Sequence, residues 1–579
     1  MPLTEVTVVR PQRWDVPFGD AMREEDVDQL LRVEPFNQID ANRFPKALPL
    51  RGILKNDVRV STYQDSDIIV REGDYGNSAF LILQGQVRVV LDGLDPTTLG
   101  RQPAEQPGFW KSILSIWNNP TLPEVRPQFS SDENGVASDR SATADLAQTR
   151  VFLQDVPRLL EGAKTLSLEK GEIFGELAAL TRTPRSATVL ADGDALLLEI
   201  RWQGLRDLMR RTDALRQHIE QLYRQNSLRV HLRETPLLAD LPAEQLAAVA
   251  DAIEFETHGD FEWQAKFEST VEAAPKDAIV SEPLIAEEGT DGDGIVLVRS
   301  GFARLSHRFG HGHRTVAYLG KGQVYGVAEA IESFQSKRPA KLRASLRALG
   351  YVDVLRIPQR ILERHVFPRM SDSRLAATAA RQSVPIADPS SEQVGGADGA
   401  QVETDLLEFL VERRFINGPE AMVIDLDRCT RCDDCVRACA ATHDNNPRFI
   451  RHGHQHGKYM IAHACMHCVD PVCMIGCPTG AIGRNQDTGI VQINDLTCIG
   501  CSTCANSCPY DNIRMTEIRD STGAIVLDET TKQPIHKATK CDLCADQVGG
   551  PACQRACPHD ALVRMDLGNL GELAQWVNR

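Results

Sequence analysis

At roughly 150 residues per domain, the 579-residue chain has room for about four domains, which excludes a single small module. Charged residues at 25% and hydrophobic residues at 42% describe ordinary globular cores rather than disorder or a fibre. Lys and Arg number 64 against 80 Asp and Glu, a net charge of −16, the wrong sign for a phosphate-backbone partner, so nucleic acid is set aside. No run of 18 apolar residues occurs and the N-terminus lacks a signal peptide's apolar stretch, so a cytoplasmic chain without direct membrane insertion is expected.

Residues 1–45 read as an N-terminal extension with helices, and residues 46–235 as a first domain. Within it, IIVREGDYGNSAFLILQGQVRVVL (68–91) predicts two strands about a Gly73/Gly76 turn, with Gly85 marking another turn. An insertion follows at about 92–165, and its middle, NNPTLPEVRPQFSSDENGVASDRSATADLAQ, has the Pro, Ser and acidic bias of disorder. Ahead of that bias Trp110, Ile113, Leu114 and Trp117 share one helical face, suited to docking a partner or to packing back on the domain. The segment GEIFGELAALTRTPRSATVLADGDALLLEI (171–200) then predicts strand, glycine turn, short helix, loop and two strands, a small β-roll able to hold an anion at a helix N-terminus.

Residues 174–189, FGELAALTRTPRSATV, resemble the phosphate-binding cassette of cyclic nucleotide-binding domains, as in catabolite activators and kinase regulatory subunits. The resemblance implies that Glu176 accepts from the ribose 2′-hydroxyl and Arg185 pairs with the cyclic phosphate. It also implies that amides near Gly175, Leu177 and Ala187 complete the cradle, with Ser186 next to phosphate or base; cAMP or cGMP is the expected ligand.

A helix-rich stretch at 205–234 leads to a second copy of the roll, residues 236–370, containing PLIAEEGTDGDGIVLVRSGFARLS. Its cassette has decayed: KGQVYGVAEAI puts Val327 where glutamate should stand, Glu329 has the wrong offset, and Arg343 is the one phosphate partner on offer. A donor-rich site without its sugar acceptor is not expected to bind nucleotide tightly. Residues 371–420 read as a polar linker and bridging helix.

All 16 cysteines fall between positions 429 and 557, with none in the first 428 residues. So many thiols in a chain read as cytoplasmic argue for metal ligation rather than disulfides. They form four groups: Cys429, Cys432, Cys435 and Cys439; Cys465, Cys468, Cys473 and Cys477; Cys498, Cys501, Cys504 and Cys508; Cys541, Cys544, Cys553 and Cys557. The third is the bare C-x2-C-x2-C-x3-C-P run of two-cluster ferredoxins. Three thiolates two residues apart wrap one face of a [4Fe-4S] cubane; the fourth, expected to begin a short helix, points away and completes another cluster. Zinc is the competing metal, but four ligands from two pairs do not need the C-x3-C-P ending.

The strings DLDRCTRCDDCVRAC, HACMHCVDPVCMIGCPTGAI, DLTCIGCSTCANSCPYDNI and KATKCDLCADQVGGPACQRACPHDAL resemble the four-cluster electron-transfer subunits of dimethyl-sulfoxide reductase and formate dehydrogenase. The likeness covers residues 421–570, followed by a tail at 571–579; Ala440, not proline, follows Cys439. The resemblance implies a nested exchange of ligands: Cys429, Cys432 and Cys435 with Cys557; Cys541, Cys544 and Cys553 with Cys439; Cys465, Cys468 and Cys473 with Cys508; Cys498, Cys501 and Cys504 with Cys477. Four [4Fe-4S] clusters and no [3Fe-4S] are expected. His452, His454, His456 and His463, from RHGHQHGKYMIAHACMHC, are read as a polar surface loop, although the alternation of the first three also suits one face of a strand with a metal or proton-relay role; His467 is read as tuning a cluster by hydrogen bonding.

The expected fold class is therefore α+β multidomain, two cyclic nucleotide-binding rolls followed by a duplicated ferredoxin-like module. With no G-x-G-x-x-G or Walker loop, the chain is expected to carry electrons to or from a catalytic oxidoreductase partner with another redox centre, under cyclic-nucleotide control. The rolls as inert docking scaffold are the alternative. A redox-sensing transcription regulator is a third reading, weakened by the acidic linker where a basic helix-turn-helix would follow.

Overall fold

A computed structural model describes residues 5–8, 14, 17–19, 22–90, 124–125, 165–176, 184–185, 187–212, 215, 228, 232–233, 235–260, 263–264, 267, 279–309, 312–382, 393–395, 401–443, 446–485, 488–520, 524–545, 547 and 549–578. Leu177, Ser186 and the Trp110–Trp117 face lie outside these. The chain divides into two compact units, Met1–Leu222 with Met422–Arg564, and Tyr223–Ala421 with Met565–Arg579. Among the described residues no helix is long and apolar enough to cross a membrane.

In the first unit the roll is built on the long strands Ser78–Val90 and Thr188–Arg201, paired antiparallel from Ser78↔Arg201 to Val90↔Thr188. Their period-2 alternation serves two cores at once. Phe80, Ile82 and Leu197 face the roll interior with Phe174, whose ring stacks on Phe80 at 5.1 Å. Ala79, Leu81 and Leu198 face outward against Val27, Ile53, Leu54, Leu205 and Leu208 of the helices Glu24–Leu30, Leu50–Asn56 and Trp202–Met209. Asp57, fully buried, ties two of these helices by accepting from Arg201 Nε at 2.7 Å.

Two expectations for this roll need correcting. Gly85 makes a bulge inside one continuous strand rather than a turn: its φ is +82°, and a Cβ there would lie 2.3 Å from the Asp194 carbonyl oxygen. Residues 188–201 likewise form one strand, not two, because backbone pairing with the long partner runs up to Asp192 on one side of Gly193 and resumes at Leu196 on the other.

The cysteine-rich part of the first unit is α+β. Strands Ala421–Asp425, Ile450–His456, Tyr459–His463 and Leu562–Met565 form one sheet; Ile482–Arg484 pairs with Val491–Ile493; Arg514–Arg519 pairs with Ile525–Asp528 and His536–Thr539. Two segments remote in sequence extend the last sheet. Strand Glu5–Val8 runs parallel to Ile525–Asp528, and Glu124–Val125, from the insertion in the first roll, runs parallel to Arg514–Arg519.

The second unit repeats the roll on Gly294–Phe309 and Ser345–Pro358. Within the residues read as linker, Asp372–Gln382 is helical and Gln393–Gly395 pairs with Gln401–Glu403. Helix Thr404–Glu412 buries Leu406, Leu407, Leu410 and Val411, and Arg414 stacks on Trp263 with its guanidinium 3.6 Å from the ring centroid.

Replacing Gly85 with alanine combines a positive φ with a clash against backbone, so Gly85→Ala is expected to destabilise the first roll by about 1–3 kcal/mol, read as a lower denaturation midpoint of the full chain.

Candidate functional site

The structure regroups the cysteines across sequence. Cys429, Cys432, Cys435 and Cys557 line one cavity together with Ile424, Arg451 and Leu562. Cys477, Cys498, Cys501 and Cys504 line another, beside Ile482, Ile493 and Met515. Cys439 lies within electrostatic reach of Cys541, Cys553 and Cys544. Cys465 and Cys508 crowd Cys468 and Cys473. In each case three thiols come from one local group and one from a distant group.

The helices arrange this differently from the sequence-based expectation that the fourth cysteine begins a helix. It is the third that lies in the first turn: Cys435 in Asp434–Thr442, Cys504 in Thr503–Ser507 and Cys553 in Ala552–Arg555. The fourth lies four residues further on, within the helix for Cys439 and just past its end for Cys508 and Cys557. The residue before the second cysteine of every group is left-handed: Arg431, His467, Gly500 and Leu543 have φ of 61°, 50°, 65° and 59°. Three of these are not glycine, a strain of about 1–3 kcal/mol each, and such conformations turn successive N–H groups into an anion-binding concavity.

Burial dominates the electrostatics. It pushes the Cys435, Cys508 and Cys553 thiols up to about 11 and those of Cys504 and Cys544 to about 12. Thiolates at such positions need a cationic centre to keep them ionised. The chain supplies part of that charge from four buried cations that sequence reading missed. Lys537 Nζ donates to the carbonyl oxygens of Cys498 at 2.6 Å and Asp495 at 2.7 Å; Lys540 Nζ donates to that of Cys541 at 2.9 Å. Arg564 donates through Nη1 to the Cys465 carbonyl and through Nη2 to Cys541 Sγ, both at 3.0 Å, and Arg484 Nη2 donates to the Cys468 carbonyl. A lysine three residues apart from another in KATKC was the one visible signal, since amphipathic spacing does not announce a buried cation.

Thiol acceptors are also served from the backbone: Arg448 N–H donates to Cys439 Sγ at 3.2 Å and Ala561 N–H to Cys557 Sγ at 3.3 Å. His443 Nε2 lies 3.5 Å from Cys544 Sγ and 3.4 Å from Asp542. His467 Nδ1 accepts from Val491 N–H at 3.0 Å, which leaves the proton on Nε2. Burial, reinforced by Lys540, Arg564 and Arg484, holds this ring neutral, and its buried Nε2–H has no acceptor among the described residues. An orphaned donor between Cys465 and Cys468, strained N–H-presenting loops and thiols gathered in fours all fit an iron–sulfur cubane with acceptor sulfides better than a bare zinc ion.

The remaining histidines stand on a hairpin, Ile450–His456 with Tyr459–His463, rather than in a loop. The alternating backbone brings His452 and His454 to His463, with ring centroids 5.8 and 5.7 Å apart; His463 Nδ1–H donates to the Tyr510 carbonyl at 3.0 Å. His456 closes the first strand of this hairpin, paired with Tyr459.

In the first roll, Gly175 has φ +73° and hands the chain from strand Ile173–Phe174 to Glu176, which is buried. Arg185 is buried beside it: Nη1 donates to the Gly175 carbonyl at 2.5 Å and Nη2 to the Ser78 carbonyl at 2.8 Å. Burial lowers its pKa to about 10, against the opposing pull of Glu199, Glu176 and Asp74. Ala187, half-buried, immediately precedes the strand that begins at Thr188. The second roll has the same joint, strand Val324–Tyr325 followed by Gly326 at φ +84°, but the next residue is the buried Val327. Arg343 there faces Glu332 at 2.9 Å and Glu329 at 3.9 Å. Removing the Arg185 guanidinium leaves two buried carbonyls unserved, so Arg185→Ala is expected to cost about 1–3 kcal/mol without any nucleotide, measured by chemical denaturation of the intact chain.

Comparison with known proteins agrees with this architecture. A model of the 4Fe-4S dicluster domain matches residues 457–567, and one of the cyclic nucleotide-binding domain matches residues 159–212 and 281–366. The electron transport protein HydN of Escherichia coli K12 is 33% identical over 168 residues, 26% of this chain and 91% of HydN. The B subunit of anaerobic dimethyl sulfoxide reductase from the same organism is 34% identical over 26% of this chain and 73% of its own length. The E. coli putative oxidoreductase AegA is 33% identical over 23% of this chain, which spans only 20% of AegA. The regulatory domain of Toxoplasma gondii PKA with cAMP aligns over 63% of this chain and 97% of its own at 17% identity, with a TM-score of 0.20, too low to add to the family match. The coverage of HydN, with the dicluster match over residues 457–567, assigns the chain to the ferredoxin-type iron–sulfur electron-transfer family, here joined to cyclic nucleotide-binding domains.

Proposed function

We propose that the chain is a four-cluster electron conduit serving a catalytic oxidoreductase partner and controlled by a cyclic nucleotide in its first roll. The observation that carries this reading is the regrouping of 16 cysteines into four sets of four, each completed by a thiol from another group. When bound, four [4Fe-4S] cubanes would supply one-electron donors and acceptors. Cys429, Cys432, Cys435 and Cys557 would hold one; Cys439, Cys541, Cys544 and Cys553 a second; Cys465, Cys468, Cys473 and Cys508 a third; Cys477, Cys498, Cys501 and Cys504 the fourth.

Exposure supports a relay with two ends. Cys432 and Cys501 are the exposed cysteines, in the first and fourth sets, whereas the second and third sets contain none. Partners would therefore meet the chain at those two surfaces. Lys537, Lys540, Arg484 and Arg564 offset the negative charge gathered inside, which favours the reduced state.

Glu176 and Arg185 carry the nucleotide part of the reading, the acid for a ribose hydroxyl and the guanidinium for a cyclic phosphate. The scaffold alternative draws on the contacts that Arg185 makes with the Gly175 and Ser78 carbonyls, and on Val327 in the second roll. Calorimetric titration with cAMP and cGMP separates the two: heat abolished by Arg185→Lys supports the sensor, and no heat from either supports the scaffold.

Anaerobically purified chain is expected to carry 16 irons, about four per set, by metal and sulfide analysis. Cys439→Ala should remove about four irons while leaving the others, and stoichiometric zinc instead of iron would end the conduit reading. Arg564→Gln withdraws a buried cation from Cys541 and should lower one midpoint potential by on the order of 100 mV, read by redox titration with electron paramagnetic resonance.

A further inference from the structure

Among the described residues, the loop 71–77 of the first roll touches both Arg185 of the cassette and Arg484 of the cysteine-rich module, all within one compact unit. On one side, residues 71–77 are tied to Arg185. Gly73 N–H donates to the Arg185 carbonyl and Arg185 N–H to the Asp74 carbonyl, both at 2.7 Å, and Tyr75 forms a β-bridge with Pro184. The Arg185 guanidinium rests on Gly76 so closely that a Cβ there would lie 2.0 Å from Nε. Glycine at 76 is what lets the loop lie against the guanidinium.

The other side of the loop holds Arg484. Its guanidinium lies 4.6 Å from the Tyr75 ring centroid, and Asn77 Nδ2 donates to its carbonyl at 3.2 Å. Gly489, at φ +72°, makes room for the Tyr75 ring, since a Cβ would come within 2.4 Å of it. Arg484 is buried and donates to the Cys468 carbonyl and, at 3.5 Å, to that of His467. Nearby, Arg201 Nη1 donates to the Thr479 carbonyl at 3.5 Å and Gln203 packs against Gly480, two further contacts between the roll and the module.

We propose that this loop couples nucleotide occupancy to redox potential: Tyr75 and Asn77 transmit movement of Arg185 to Arg484, and cyclic nucleotide thereby lowers the midpoint potential of the centre held by Cys465, Cys468, Cys473 and Cys508. The inference rests on the nucleotide and cluster assignments above. A cyclic phosphate competes with the Gly175 and Ser78 carbonyls for the guanidinium, Gly76 follows it, and Tyr75 releases the face of Arg484. A cation loosened from a buried anionic centre stabilises its one-electron-reduced form less. Linkage requires the converse by the same factor: reduction weakens nucleotide binding.

The experiment uses the full-length, cluster-loaded chain under anaerobic conditions. Potentials are titrated by electron paramagnetic resonance with and without cAMP or cGMP, and nucleotide affinity is measured by calorimetry on oxidised and dithionite-reduced protein, for the wild type, Tyr75→Leu and Asn77→Ala. The expected wild-type result is a downward shift of one centre, up to a tenfold change in its reduced-to-oxidised ratio, 59 mV for one electron, with an equal loss of affinity on reduction. Tyr75→Leu should keep its iron and its affinity for nucleotide in the oxidised state while losing the shift. Heat without any shift in potential, or a shift that survives both substitutions, overturns the coupling and leaves nucleotide binding intact. Absence of heat from either nucleotide overturns the sensor and the coupling with it.

Discussion

Burial of ionisable sulfur is the constraint on which the first unit depends. Sixteen thiols lie between positions 429 and 557, and burial, reinforced by the neighbouring thiols, holds several far above the range in which they ionise. A core of this kind is stable only if each thiolate gains a cationic centre and each cation gains an acceptor. Lys537, Lys540, Arg484 and Arg564 meet that demand from inside, with their donors on carbonyl oxygens of the cysteines themselves. The apolar surroundings, Met422, Ile424, Phe449, Met460 and Leu562, then exclude water from the same space and strengthen every one of these interactions.

Strand addition explains why the first roll and the cysteine-rich module form one unit although about 200 residues of chain separate them. Glu5–Val8 and Glu124–Val125 both add to the sheet around Arg514–Arg519 and Ile525–Asp528. Backbone pairing of this kind covers a sheet edge that would otherwise offer unpaired N–H and C=O groups. Arg201, Asn77 and Gln203 of the roll add side-chain contacts to Thr479, Arg484 and Gly480.

The two rolls show how one framework tolerates different chemistry. Each reaches its cassette through a two-residue strand and a left-handed glycine, Gly175 or Gly326, because only that backbone turns the following residue into the roll. After the turn, the first copy buries Glu176 and the second buries Val327. The second copy also spends its arginine on the ion pair with Glu332, outside the roll.

Grouping of thiols two and three residues apart was readable from sequence because that geometry is local, as were the alternating strands of both rolls and the glycine turns that lead into their cassettes. The bulge at Gly85 and the hairpin carrying His452 and His454 were misread because a glycine and a polar alternation look alike in a turn, a loop and a strand until pairing partners are known. Local spacing did not give the exchange of thiols between groups, which only the family resemblance implied, and the four buried cations, the strands contributed by residues 5–8 and 124–125, and the seat of Tyr75 under Arg484 were decided by tertiary structure alone. Each depends on groups brought together across tens to hundreds of residues, and no local spacing carries that information.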